Sequence, residues 1–183
     1  MKACIIDSSA GELALAVIDG ENTYEYVGNA GARRHTSEIL VQLDELFKKA
    51  EIDARELDYV GVVVGPGSFT GIRIGVSTAN AMAYASGAKL VEITELESML
   101  VDEGEALGLI DCKHDNYYAL YKDGETLEYK AQNISEIDYE GKRIIFTSPC
   151  LEKHVKVLKN KTQKGEFSMV AKPFYMKKSS AEA

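Results

Sequence analysis

The residues best placed to do chemistry are Gly65-Pro66-Gly67-Ser68-Phe69-Thr70-Gly71, a run that follows a valine-rich stretch and precedes helical spacing. Closely spaced glycines before a helix expose backbone N–H groups at the positive end of its dipole, which suits a phosphate. A P-loop requires GxxxxGK[ST]. No glycine pair here has that spacing and no lysine follows, so the group that would reach the terminal phosphates is missing. Gly65, Gly67 and Gly71 spell GxGxxxG, and Glu92 stands where a ribose-binding acid would sit, but a dinucleotide fingerprint opens its fold, whereas about 60 residues precede this one.

Other candidates are carboxylates and single nucleophiles. Asp7, with Ser8 beside it, and Asp111 end equivalent apolar runs and could hold a nucleotide-bound Mg2+ through water. Acids in that position also order a turn through local hydrogen bonds. Ser68 lacks the GxSxG elbow of a serine hydrolase, and neither HExxH nor a nucleophile with an identifiable base is present, which argues against a protease. His35 has Ile39 at i+4, and His114 and His154 are distant in sequence, so each reads as a structural or solvent-exposed histidine. Cys4, Cys112 and Cys150 form no CxxC pair and read as reduced, buried thiols.

These residues must be positioned by regular elements. Ala3 to Ile6, Leu13 to Ile18 and Thr23 to Val27 predict a three-stranded antiparallel meander. Ile39, Leu40, Leu43, Leu46, Phe47 and Ala50 recur at helical spacing after a capping Thr36, predicting a helix over 37–50. Tyr59 to Val64 predicts a buried strand running into the glycine turn. A helix over about 72–85 follows, stopped by Gly87 as a left-handed cap, and then a strand over 89–93. Along the second helix Gly71, Gly75, Ala79 and Ala83 make a stripe of small residues on which another backbone could pack closely.

The second half repeats the first. Ile6-Asp7 matches Ile110-Asp111, and Asp19-Gly20-Glu21 matches Asp123-Gly124-Glu125, all at one offset of 104 residues. Self-similarity of this kind points to a duplicated unit. A strand over 144–147 and a helix over 151–158 complete the second copy, which has little room for a counterpart of the helix at 37–50. The expected organisation is an α/β chain of two duplicated domains, 1–102 and 103–183, with mixed sheets and helices and the second domain trimmed.

Charge limits the partners. Of the 183 residues, 1–150 hold 13 Lys and Arg against 26 Asp and Glu, while 151–183 hold 8 against 3. A body that acidic cannot neutralise many phosphates, so direct tRNA binding is not expected of it. The series Lys153, Lys156, Lys159, Lys161 and Lys164 reads as a solvated helix face before it reads as an RNA contact. No window approaches the ~20 apolar residues of a membrane helix, and the first residues are no leader, so a cytoplasmic location with no membrane contact is expected.

Taken together, IIDSS, HTSEIL, GVVVGPGSFTGIRIG, LVEITELESM and LIDCKHDNYYALY resemble the TsaB family, in register over about residues 2–125 and more loosely over IIFTSP and KPFYMKK. The resemblance implies an actin-like ATPase (ribonuclease-H-like) fold. It also implies a non-catalytic subunit for N6-threonylcarbamoyladenosine at adenosine 37 of tRNA, paired with a TsaD-like catalytic subunit and a TsaE-like ATPase, and touching tRNA only indirectly. TsaD carries a metal-binding histidine pair that this chain, with Ile39 after His35, lacks. No resident cofactor is implied, although ATP or ADP with Mg could sit at a partner interface. The pairing surface is implied on the two helices, at Ile39, Leu43, Leu46, Gly71, Gly75, Ala79, Met82 and Ala83, and the isolated chain could form a homodimer. The competing expectation is an actin-like-fold ATPase or phosphotransferase using Asp7 and Asp111 with Mg-nucleotide.

Overall fold

The computed structural model describes residues 1–28 and 31–176, with side chains for all of these except 31–36. Among the described residues two mixed sheets form. The first contains β1 (Lys2–Asp7), β2 (Leu13–Asp19), β3 (Asn22–Gly28), β4 (Tyr59–Gly65) and β5 (Lys89–Thr94) in the order β3-β2-β1-β4-β5. The second contains β6 (Glu105–Asp111), β7 (Asn116–Asp123), β8 (Thr126–Asn133) and β9 (Arg143–Ile145) in the order β8-β7-β6-β9. Each opens with an antiparallel meander and adds a parallel strand beside its first member, β1 with β4 and β6 with β9. The repeat read from five identities is thus a repeat of topology.

Four α-helices are present among the described residues: α1 (Gly31–Ala50), α2 (Phe69–Ser86), α3 (Glu95–Met99) and α4 (Leu151–Lys164). The backbone of α1 begins six residues earlier than its apolar spacing indicates, so Thr36 lies inside it, and the expected Thr36 cap and His35 fall outside the described side chains. Ser68 caps α2, its Oγ accepting from the Gly71 N–H at 3.3 Å, and Gly87 ends it in the left-handed region at φ 76°. The second copy has no counterpart of α1 among the described residues, because a 3-10 turn at Ile134–Glu136 and a short loop connect β8 to β9.

Strand alternation sorts the first sheet's side chains onto two faces. Cys4, Ile6, Leu13, Leu15, Val17, Val60 and Val62 face α1 and α2, packing on Leu43, Leu46, Ile72, Val76 and Ala79. Ala3, Ile5, Ala14, Ala16, Ile18 and Val63 face the other way, onto Leu151, Val155 and Leu158 of α4. Thus α4 follows the second sheet in sequence but covers the first. Leu96, Met99 and Leu100, in and just after α3, pack on Ala106, Ile110 and Leu120 of the second sheet.

The closest approach in the fold lies between the turn after β1 and the start of α2. A Cβ placed on Gly67 or Gly71 would overlap the carbonyl oxygen of Ser9 or Ser8, and one on Gly75 would stand 2.5 Å from Ser8 Oγ. Ser68 N donates to Ser9 O at 2.6 Å, and Ser8 Oγ donates to Gly71 O at 2.8 Å. Because the obstruction is backbone, it cannot be relieved by a rotamer change. Gly71→Ala is expected to cost about 1–3 kcal/mol and to lower the urea midpoint. Gly104→Ala, where nothing lies within 4 Å of the added carbon, is expected to be neutral or stabilising by up to about 1 kcal/mol; equal midpoints for the two variants would contradict this reading of the glycine stripe.

Candidate functional site

At its C-terminal end β1 keeps its alternation, and Asp7 falls on the α4 side, completely buried. Its Oδ1 accepts from the Ser9 backbone N–H at 2.8 Å and from Ser9 Oγ at 2.7 Å. Its Oδ2 lies 3.2 Å from Nε2 of His154, which is equally buried. The other ring nitrogen of His154 is 2.7 Å from Ser98 Oγ. Glu95 completes the group, with Oε2 3.6 Å from His154 Nε2.

Local structure delivers each member. Thr94 and Glu97 form a capping box, in which Thr94 Oγ1 accepts from Glu97 N at 3.1 Å and Glu97 Oε2 accepts from Thr94 N at 3.0 Å. The box starts α3 directly from β5 and sets Glu95 and Ser98, three apart, on one buried face. On α4, Leu151, His154, Val155 and Leu158 form an i, i+3, i+4, i+7 stripe toward the first sheet. His154 therefore occupies a core position, and the two carboxylates and Ser98 receive it there.

The electrostatics are lopsided. Burial pushes the Asp7 carboxyl upward, but the His154 imidazole and the Ser9 donors outweigh it and hold Asp7 below the ordinary carboxylate value. Glu95 moves the opposite way, well above its ordinary value, first through burial and then through the neighbouring Asp7 charge. Its Oε2 has no hydrogen-bond partner among the described residues. One ligand atom from each of Asp7, Glu95 and His154 lies within 4.8 Å of the others, a donor set that can share a proton or hold a divalent cation.

The glycine turn is a different matter. It is seated closely on Ser8 and Ser9, with the Ser68 N–H spent on Ser9 O at 2.6 Å and the Gly71 N–H on Ser68 Oγ at 3.3 Å, and Glu92 Oε1 accepts from the Lys172 backbone N–H at 2.6 Å. Asp111 is exposed and orders its own turn, accepting from Lys113 N at 2.7 Å, beside a cavity of about 470 Å3 lined by Ser9, Gly67, Ser68, Lys113 and Tyr118. Asp7 does not line that cavity. Of the residues expected around a nucleotide-bound Mg2+, Asp7 turns its carboxylate to His154 and Ser8 Oγ is buried on Gly71, while Asp111 lies at the cavity.

The residues expected at a pairing surface lie within the chain's own fold. Ile39, Leu43, Leu46, Gly71, Gly75, Ala79 and Ala83 are buried in the chain's own core, and Met82 is half-buried against it. Their small or apolar side chains serve packing of the helices on the first sheet. The outward faces of the same helices carry other apolar residues: Leu40 and Val41 on α1, 59% and 58% exposed, and Phe69 and Tyr84 on α2, with Tyr84 at 93%. Arg73 lies over the Phe69 ring at 3.9 Å and donates to the Tyr175 hydroxyl at 3.0 Å.

The lysines of α4 are matched within the chain. Lys156, Lys159, Lys161 and Lys164 pair with Asp102, Glu21, Glu97 and Glu125, and Lys153 donates to the Met99 carbonyl. Of the thiols, Cys4 is buried and pushed up to about 12 by that burial, whereas Cys112 and Cys150 are half-buried. No helix among the described residues is long and apolar enough to cross a membrane.

The family model described as TsaD, tRNA N6-adenosine threonylcarbamoyltransferase, matches residues 20–178. The tRNA threonylcarbamoyladenosine biosynthesis protein TsaB of Haemophilus influenzae is 30% identical over 95 residues, covering 51% of this chain and 39% of that protein. An uncharacterized protein of Mycobacterium leprae is 38% identical over 97 residues, 52% of this chain and 26% of that protein. The matched region thus spans less than half the length of these curated relatives. Two solved structures from Pseudomonas aeruginosa share the fold. One is YeaZ, with TM-score 0.79, 14% identity and coverage of 92% of this chain and 96% of that one. The other, an uncharacterized protein with similarity to peptidase YeaZ, has TM-score 0.84, 15% identity and coverage of 96% and 99%.

The buried cluster makes a pH prediction for protein held in chelator. A carboxyl whose folded value is raised keeps its proton in the folded state while the unfolded chain loses it, so the Glu95 contribution falls as pH climbs from about 4.3 toward the raised folded value. The slope from one such proton is at most about 1.4 kcal/mol per pH unit. Glu95→Gln is expected to flatten that part of the urea-midpoint profile and to match or exceed the wild type at pH 7. His154→Ala, which strips Asp7 of its buried partner, is expected to cost about 3–5 kcal/mol; a milder loss than Glu95→Gln would reverse this assignment of roles.

Proposed function

Since the chain belongs to the TsaD family, as a TsaB-type protein with the two-sheet actin-like ATPase fold, we propose that it is a supporting subunit in N6-threonylcarbamoyladenosine modification of tRNA. On this reading it pairs with a TsaD-like transferase, and a TsaE-like ATPase completes the assembly. The observation that supports the non-catalytic role is that the glycine turn spends donors within the chain. The Ser68 N–H goes to Ser9 O and the Gly71 N–H to Ser68 Oγ. Position 39, one turn after His35, is Ile, so the sequence of α1 offers no second histidine at that spacing.

Pairing on this proposal uses the outward faces of α1 and α2. Exposed aliphatic and aromatic side chains on adjacent regular elements are the usual anchors of a protein interface, and Leu40, Val41, Phe69 and Tyr84 supply them here. An acidic body whose α4 lysines are already paired supports contact with tRNA through the assembly and not through this subunit.

The test is the N6-threonylcarbamoyladenosine content of tRNA, by nucleoside mass spectrometry, in host cells lacking the chain and complemented with variants. Loss of the nucleoside without the chain and its restoration by wild type are expected. Val41→Arg combined with Tyr84→Asp is expected to leave the unfolding free energy in urea within about 0.5 kcal/mol of wild type, yet to abolish co-purification with the host's TsaD-like subunit and to fail to restore the nucleoside. Leu43→Ala, a core truncation, is expected instead to lose about 2–5 kcal/mol of stability. Normal nucleoside levels in cells without the chain would discard the proposal.

A further inference from the structure

We infer that Asp7, Glu95 and His154 form a structural binding site for one Zn2+ ion, which clamps α4 and the start of α3 to the end of β1. The site is distinct from any on α1, since it lies on the opposite face of the first sheet.

The argument begins with charge and geometry. Two carboxylates and an imidazole place their ligand atoms within 4.8 Å of one another, all three residues are buried, and no Lys or Arg contributes to the group. A divalent ion would neutralise the two carboxylates in a place where water cannot. Tetrahedral zinc with bonds of about 2.0–2.1 Å sets its ligand atoms about 3.3–3.4 Å apart. Two edges of the group, Asp7 Oδ2 to His154 Nε2 at 3.2 Å and His154 Nε2 to Glu95 Oε2 at 3.6 Å, bracket that spacing.

Two features separate this group from a chance cluster of acids. Glu95 Oε2 is a buried atom with no donor among the described residues, and it faces the same point as the other two ligand atoms. The other ligands are oriented from behind, as metal ligands usually are. Ser9 donates twice to Asp7 Oδ1 and leaves Oδ2 directed inward. Ser98 Oγ sits at His154 Nδ1, so that with Nδ1–H donating to it the Nε2 lone pair is free to bind metal. A cavity of about 190 Å3, lined by Glu95, Ser98, Thr147 and Cys150 among others, adjoins the group and offers both an entry path and room for a water as fourth ligand.

The consequence is a long-range closure. Asp7 and His154 are 147 residues apart in sequence, and an ion binding the folded but not the unfolded chain stabilises the whole arrangement.

The experiment uses the full chain, with metal content measured by inductively coupled plasma mass spectrometry after gel filtration, and Tm measured after chelator treatment and re-addition of Zn2+ or Mn2+. Wild type is expected to retain one equivalent of Zn2+, to lose Tm on chelation and to regain it with Zn2+ in preference to Mn2+. Co2+ added to stripped protein should give the visible absorption of a four- or five-coordinate ion. Ser98→Ala should weaken Zn2+ about 10–100-fold, the usual cost of losing an outer partner, and Glu95→Gln should weaken it further. Zinc held equally by wild type and Glu95→Gln would place the ion elsewhere, for instance at the exposed His114. Preference for Mn2+ would overturn the zinc assignment. No metal and no Tm response in the wild type would mean that a shared proton holds the cluster, and would overturn the site itself.

Discussion

The contact on which the rest of the structure depends is backbone against backbone, where the turn after β1 meets the first turn of α2. With Ser8 and Ser9 carbonyl oxygens occupying the positions that side chains at Gly71 and Gly67 would take, α2 can lie no nearer to β1 than this, and any residue larger than glycine would force it away. That distance fixes how α2 packs on β1 and β4, and it holds the end of β1 still. A strand end held in this way sends successive side chains to opposite faces. Ser8 goes to α2 and Asp7 goes through to α4. One steric constraint therefore seats the glycine turn and aims a carboxylate into the opposite core.

What receives that carboxylate is unusual for a core layer. Burying Asp7 and Glu95 among Ala3, Ile5 and the apolar stripe of α4 costs more than burying hydrocarbon, and the cost is offset only if partners are supplied. Ser9 and His154 supply them for Asp7, and Ser98 for His154, while Glu95 Oε2 is left without a donor among the described residues. The same elements couple the two sheets. α3 starts from the first sheet and packs on the second, while α4 leaves the second sheet and covers the first, so the buried polar group lies where both crossings meet. Its registry role follows from that placement, because α4 can slide neither way along β1 without withdrawing His154 from Asp7.

Most of the fold was legible in the sequence, since strand alternation and helical spacing carry their own burial pattern, as in β1, β2 and β4 and in the stripe Leu43, Leu46, Phe47. The duplicated meander was visible in five identities. The helix α3 was not, because five residues are too few for a period to emerge, although the Thr94 and Glu97 capping box was there to be read. The site was harder. His154 was set aside as distant in sequence from the other histidines, yet its spacing from Leu151, Val155 and Leu158 places it in a core stripe, and an imidazole in a core stripe requires a partner. The small-residue stripe of α2 was ambiguous in a complementary way. Gly71, Gly75 and Ala79 permit close approach, but sequence cannot say whether the approaching backbone belongs to the same chain.

That ambiguity has a physical resolution. A helix is two-faced, and the face chosen for close packing within the chain determines which face is left for anything else. In α2 the inward face holds the residues without bulk, and the outward face holds Phe69, Arg73, Ser77 and Tyr84. In α1 the inward leucines leave Leu40 and Val41 outside between acidic and basic neighbours. The sequence favoured the inward residues because the resemblance implies pairing on these helices and the small residues of α2 permit close docking. Burial reverses the ranking, since a side chain already desolvated by its own fold has no apolar surface left to remove from water, and the driving force for association resides in those still exposed.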